Sequence, residues 1–156
     1  MSTVKPPRRS SARNAALLTD VILLIFRING QLLAAGDRLV KDLNLTSARW
    51  QMLGAVALSD RPHTAPQLGA LMGMTRQAAQ KQLDLLKDDG LVAPETNPAH
   101  VRSPLYVLTR KGRSAYSATE RIQSAWANEL SASLSMGNLG TTKRLLEDLS
   151  GRLIQS

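Results

Sequence analysis

Residues 64–73, TAPQLGALMG, lead into 74–90, MTRQAAQKQLDLLKDDG, and then into 91–109, LVAPETNPAHVRSPLYVLT. The first segment carries a helix start signal. Thr64 has Gln67 three positions on, the pattern of a capping box, in which each side chain satisfies a free backbone N–H. Leu68, Leu71 and Met72 then fall on one face. Gly69 is small where a partner helix would cross, and Gly73 permits a sharp turn. Thr75 can cap the next helix. At about 100° per residue, Ala79, Leu83 and Leu86 form the inner face of that helix, and Gly90 ends it. The third segment reads as two strands, Leu91–Glu95 and Leu105–Leu108. The tip between them holds Asn97-Pro98 and Arg102-Ser103-Pro104.

Helix, tight turn, helix and hairpin in this order make a winged helix-turn-helix, which sets its second helix into the major groove of DNA. Arg76, Gln77, Gln80 and Lys81 project from the face opposite the apolar one, within the first two turns. Such side chains suit base edges: Arg grips guanine O6/N7 and Gln grips adenine N6/N7. A solvated polar face on an ordinary helical hairpin accounts for any one of them. Their confinement to the N-terminal turns, after a Gly turn and before a hairpin, favours DNA.

Four pieces of the chain carry a resemblance: LNLTSARWQML at 43–53, QLGALMGMTRQA at 67–78, LLKDDGLV at 85–92 and LTRKG at 108–112. In this order and spacing the chain resembles the multiple-antibiotic-resistance regulator (MarR) family of bacterial transcription factors, over about residues 14–155. The resemblance implies a mainly α fold with a small β-hairpin wing. The winged helix-turn-helix lobe would span 46–113, and helices within 14–42 and 114–156 would serve mainly dimerisation. It implies a homodimer on inverted-repeat, double-stranded DNA operators, with repression as the family default. In many members a small aromatic acid or other amphipathic effector releases the DNA.

The implied DNA-binding set is Thr75, Arg76, Gln77, Gln80 and Lys81 on the recognition helix, with His100, Arg102, Ser103, Arg110 and Lys111 on the wing and its flank. In relatives the effector pocket lies between the dimer helices and the DNA-binding lobe, and Phe26, Arg49 and Trp50 would border it here. Core packing for Phe26 and Trp50, with a surface role for Arg49, is the plainer account of those three. The family's wing tip usually holds an Asp followed by two Arg, one of which enters the minor groove. The matching residues here are His100, Val101 and Arg102, so Val101 stands where the first Arg is expected. Gln82 also departs from the family, which usually has an apolar residue at that point of the recognition helix.

The whole chain sets the bounds. Its 156 residues suffice for one domain with a real core. Lys and Arg number 20 against 12 acids, a net charge of +8, which favours a polyanionic partner without separating DNA from RNA or an anionic membrane. There is no Cys, so there is no disulfide framework and no thiol redox switch. The longest uninterrupted apolar run, Val21–Phe26, is too short for a bilayer. The N-terminus lacks the pattern of a secretory signal. A soluble, cytoplasmic protein without membrane contact is the expectation.

Working outward, residues 1–13 carry Lys5, Arg8, Arg9 and Arg13 and no acid. They read as a disordered basic tail, either functionless or lying on DNA. From Asn14 to about Asp42 a long helix is expected. Leu17, Val21, Leu24, Ile28, Leu32, Ala35 and Leu39 step by three and four, and Leu18, Ile22, Ile25 and Leu33 widen the apolar surface. Such girth needs partners on two sides, and a second copy would supply one. Thr46 can cap the next helix, with Leu45 stapled onto Trp50, and a short extended piece is expected at Pro62-His63. Thr109 can cap a helix whose first turns hold Arg110, Lys111 and Arg113. Cations there oppose the helix dipole, which suggests a nearby anion or plain solvation. Met136-Gly137-Asn138 reads as the break before a last helix carrying Leu139, Leu146, Leu149 and Leu153.

Catalytic chemistry has no foothold in this pattern. The two histidines, His63 and His100, sit in expected loops and are far apart in sequence, unlike ligands at metal-site spacing. No Walker loop, GxSxG or GxGxxG occurs, and no cofactor is expected. The rival to a DNA-binding regulator is a winged module for protein or RNA contact, because fold alone does not fix function. A protein-binding helix would carry exposed apolar residues at 76–81.

Overall fold

In the computed structural model, which describes residues 9–155, Ala79, Leu83 and Leu86 are fully shielded from solvent. They lie on one face of α4 (Arg76–Asp88), which packs against α3 (Ala65–Leu71) and α2 (Ser47–Leu58). Met52 and Leu53 from α2, Leu68 from α3, and Val40 and Leu45 from the segment before α2 close the same core. Burying a Leu or Met side chain this completely contributes about 1.5–3 kcal/mol, more than any single polar contact in the lobe. Thr46 caps α2, its Oγ1 accepting from Arg49 N–H at 3.3 Å. Leu71 departs from its expected face and is 58 % exposed. Ala65, Leu68 and Met72 define the inward stripe of α3, and Leu71 lies well off it around the helix.

The wing is part of a three-stranded antiparallel sheet rather than a lone hairpin. Its order is β1 (His63–Thr64), β3 (Leu105–Leu108), β2 (Val92–Glu95). In β3, Tyr106 faces His63 on one side and Pro94 on the other. Pro94 is tolerated because β2 is an edge strand, where a missing N–H breaks no inner ladder. A two-residue strand such as β1 has no periodicity to read, and only pairing with a distant segment makes it one.

The described chain divides into two units at Tyr116. In the first, α1 (Arg9–Leu39) begins at Arg9 and not at Asn14. Ser10–Arg13 hold no Gly or Pro, and Ala and Arg favour helix, so part of the expected tail is helical. The rest of that tail, residues 1–8, lies outside the described residues. A single 3-10 turn over Lys41–Leu43 and a left-handed Asn44, φ 56°, join α1 to α2. Gly36 and Val40, at and just beyond the C-terminal end of α1, are buried. Leu17, Leu24, Ile28 and Leu32 are exposed in the single chain. The stretch Ser11–Leu39 is long and apolar enough to cross a membrane, with a mean hydropathy of 1.6 in its most apolar part. Asp20 and Arg27 interrupt it, however, and each would cost about 2.5–3.5 kcal/mol at the centre of a bilayer.

The second unit holds the greater part of α5 (Arg110–Ser131) and all of α6 (Met136–Gln155). The break falls at 132–135, before Met136. Ser135 caps α6, its Oγ accepting from Asn138 N–H at 3.1 Å. The Gly-Asn pair expected to end a helix therefore lies in the first turn of the next, because a Ser two residues upstream of it offers the better cap. Leu139, Leu145, Leu146 and Leu153 of α6 are exposed within this unit.

Candidate nucleic-acid interface

Local chemistry builds the turn between α3 and α4. Thr64 N–H donates to Gln67 Oε1 at 2.9 Å, fixing the start of α3. Gly73 reverses the chain at φ 63°, and Met74 N–H returns to the Gly69 carbonyl at 2.8 Å. A Cβ at Gly69 would come within 3.0 Å of the Ala79 Cβ, so a larger residue would push the two helices apart. Thr75 Oγ1 accepts from Ala78 N–H at 3.1 Å and starts α4.

The outer side of α4 presents Thr75, Arg76, Gln77 and Lys81 to solvent, with Gln80 half-buried. Arg76, Gln77, Gln80, Lys81, Asp84 and Leu85 line an open hollow of about 490 Å³. Gln80 is not free like its neighbours. Its Nε2 donates to Asp84 Oδ1 at 3.1 Å and to the Tyr106 hydroxyl oxygen at 3.0 Å. The Asp84 carboxylate only accepts, which fixes which way the amide points. Both N–H bonds are engaged, and a bidentate adenine contact would need one of them for N7.

The wing tip folds on itself. Asn97 is buried. Its Nδ2 donates across the tip to the Ser103 carbonyl at 2.8 Å, while its Oδ1 accepts from Ala99 N–H at 3.1 Å. Backbone bonds from His100 N–H to Asn97 O and from Ser103 N–H to His100 O complete two successive turns. His100 and Arg102 are left exposed, Ser103 is partly covered, and Val101 at the apex is 86 % exposed. The Asn-Pro pair at 97–98 is a turn signal in its own right, but nothing in it specified the cross-tip bond.

At the flank, Thr109 caps α5 through Gly112 N–H at 2.9 Å. Lys111 Nζ donates to the Asp89 carbonyl at 2.7 Å, and the Arg113 guanidinium donates to the Leu108 carbonyl at 2.9 Å. Two of the three cations that oppose the α5 dipole thus find acceptors within the chain. For Lys111 the acceptor is the C-terminal end of α4, where a cation is favoured. Arg110 points to solvent.

A sequence model described as the MarR family matches residues 43–103. An uncharacterized protein of Mycobacterium tuberculosis is 41% identical over 108 residues, which is 69% of this chain and 71% of that protein. The chain belongs to the MarR family. It is a DNA-binding transcription regulator of the winged helix-turn-helix class. Among solved structures it is similar to the M. tuberculosis transcriptional regulator MOSR in complex with DNA, at 25% identity and a TM-score of 0.69, covering 85% of this chain and 96% of that one. It also shares its fold with CouR from Rhodococcus jostii RHA1 bound to p-coumaroyl-CoA, at 18% identity and a TM-score of 0.74, covering 83% and 91%.

Three positions of this MarR-family chain were expected at an effector pocket. Phe26 is 70 % exposed on α1. Arg49 is paired with Asp89, Nη1 to Oδ2 at 2.7 Å. Trp50 packs partly buried against the core of the lobe. Core packing for Trp50 and an ion pair for Arg49 therefore account for two of them without a ligand. Sequence reasoning gave Asn97 no role beyond the wing tip, and it did not single out Tyr106 or Asp89 as participants. A buried Tyr, whose hydroxyl needs a partner, was the one available clue to Tyr106.

Proposed function

We propose that this MarR-family regulator binds an inverted-repeat operator as a homodimer and represses transcription by occupying a promoter. Thr75, Arg76, Gln77, Gln80 and Lys81 face the major groove, and His100, Arg102, Ser103, Arg110 and Lys111 lie along the flanking backbone. The observation that carries this reading is the outer side of α4. A capped helix N-terminus, Arg76, Gln77 and Lys81 stand together in solvent, and the same lobe carries a folded wing tip bearing Arg102. Phosphate contacts from the cations supply most of the affinity, and the α4 side chains supply sequence choice. MOSR, solved with DNA, supports the same use of this fold.

The exposed apolar faces of α1 and, separately, of α6 support dimerisation. Faces of this size on a single chain call for a protein partner, and the family assembles as dimers. Release by a small aromatic or amphipathic effector is the regulatory part of the proposal, and CouR with its bound p-coumaroyl-CoA supports it. The protein acts where the DNA is, in the bacterial cytoplasm.

A module for protein or RNA contact is the second reading. Leu85, 40 % exposed at the edge of the α4 hollow, is the observation in its favour, but it is flanked by Lys81 and Asp84 rather than by further apolar residues. Selection of bound sequences from random duplex DNA decides between the two. Recovery of a two-fold symmetric motif is expected. A pool that stays random through repeated rounds would overturn the proposed function.

A further inference from the structure

Tyr106 sits in the central strand of the sheet, between His63 and Pro94, and is only 4 % exposed. A phenol buried this far needs a hydrogen-bond partner, and its oxygen receives one from Gln80 on α4 at 3.0 Å. The second N–H of the same amide goes to Asp84, one helical turn further along α4. Gln80 is therefore braced on both sides, by its own helix and by the strand that leads into the wing. The wing tip lies N-terminal to Tyr106 along β3, and Arg102 is within about 13 Å of chain from it. Any slip of α4 against the sheet would change the distance between the groove-facing side chains of α4 and Arg102.

We propose that Gln80 is a positioning residue, which locks the recognition helix to the wing through the Tyr106 hydroxyl. The tasks of touching bases and nearby phosphates are then left to Arg76, Gln77 and Lys81. The inference rests on the reading of α4 as the recognition helix. An amide with both protons engaged cannot form the paired contact to adenine that a free Gln makes. A helix and a wing held at fixed separation meet the major groove and the neighbouring backbone together. A loosened pair would have to be ordered on binding, at an entropic cost that falls on all sequences alike.

The test uses the full chain on a pool of duplexes with the selected operator randomised one position at a time. Gln77→Ala serves as the comparison and should relax preference at one base pair by about tenfold or more. Gln80→Ala and Tyr106→Phe should each weaken binding to every sequence by a similar factor and leave the order of preference intact. The double variant should lose no more than the larger single loss, since both remove the same brace. A change of preference at one base pair in Gln80→Ala, or losses that add in the double variant, would overturn the inference. If the wild type selects no motif, it is the recognition-helix reading that fails. A variant-independent measurement is the side-chain amide resonance of Gln80 in the wild-type DNA complex. Its two protons should show proximity to the Tyr106 ring, and proximity to a base instead would also overturn the proposal.

Discussion

The Arg49 guanidinium stands 2.7 Å from Asp89 Oδ2, which ties α2 to the C-terminal end of the recognition helix. Asp89 is held twice, because its carbonyl also accepts from Lys111 Nζ on α5. An acid at a helix C-terminus opposes the dipole, and the two cations offset that cost. Arg49 is largely covered and Asp89 nearly half-exposed. Arg49→Ala should therefore destabilise the protein by only about 0.5–1 kcal/mol, the range for a partly exposed pair. Urea titration at low and high salt checks this. The difference between wild type and variant should shrink as salt rises, and a difference that is large and independent of salt would assign Arg49 to packing instead.

Among the described glycines, Gly112 has the least room for a side chain. A Cβ there would lie 1.8 Å from the Leu91 carbonyl oxygen, which already accepts from Thr109 N–H at 3.0 Å. Gly112→Ala must push the start of α5 away from the base of the wing, at a cost of about 3 kcal/mol. Thermal melting should show a clear loss for this variant. Gly30→Ala, with open space around its Cβ, should show none.

Asn97 holds the wing tip closed through Ser103 and Ala99. Asn97→Ala should cost about 1–2 kcal/mol for two lost hydrogen bonds. The loss should be local, so amide exchange should speed up at His100 and Ser103 while α4 stays protected. Equal acceleration in α4 would mean that tip and helix open as one unit.

Arg102 is the exposed cation at the tip, beside Val101. Arg102→Ala should weaken binding to most sequences alike and reduce the salt slope by about one phosphate per protomer. Val101→Arg adds a cation at the apex, and should tighten binding most on A·T-rich flanks with a narrow minor groove. Competition binding reads both. No gain from Val101→Arg would place the tip away from the minor groove.

Leu24 and Ile28 are exposed on α1 in the single chain, so changing both to Glu should leave the lobe folded and remove the dimer. Sedimentation at micromolar concentration should give a dimer for the wild type and a monomer for the double variant. Operator affinity should fall roughly a hundredfold or more as two-site binding is lost. A stable wild-type monomer would remove the dimer from the proposed function.

Much of the fold was legible in the sequence because its signals are local. The caps at Thr46, Thr75 and Thr109 each need a side chain and a backbone N–H three residues on. The stripe of Ala79, Leu83 and Leu86 needs only the helical period, and all three are buried. Local reading failed where two local signals compete, as at Ser135 against the Met136-Gly137-Asn138 expected to break the chain. An extended piece was legible at Pro62-His63, but its pairing with β3 was not, because a two-residue strand has too little length to show a period. The candidate site was legible as a set of residue types on one face of α4, and their expected tasks followed from chemistry alone.

Tertiary structure decided which of those side chains are free. Gln77 and Gln80 are the same residue type three positions apart, and the sequence offers no reason to separate them. Tyr106 separates them, because it arrives from a strand distant in sequence and takes one amide proton of Gln80. Arg49 and Lys111 are likewise assigned by Asp89, and Gly112 by the Leu91 carbonyl. The physical reason is one of range. Caps, turns and helical faces depend on neighbours within a few residues, so the sequence by itself determined the winged helix-turn-helix. Hydrogen bonds and ion pairs between elements depend on where the chain returns after long excursions, and that is fixed only when the whole core packs.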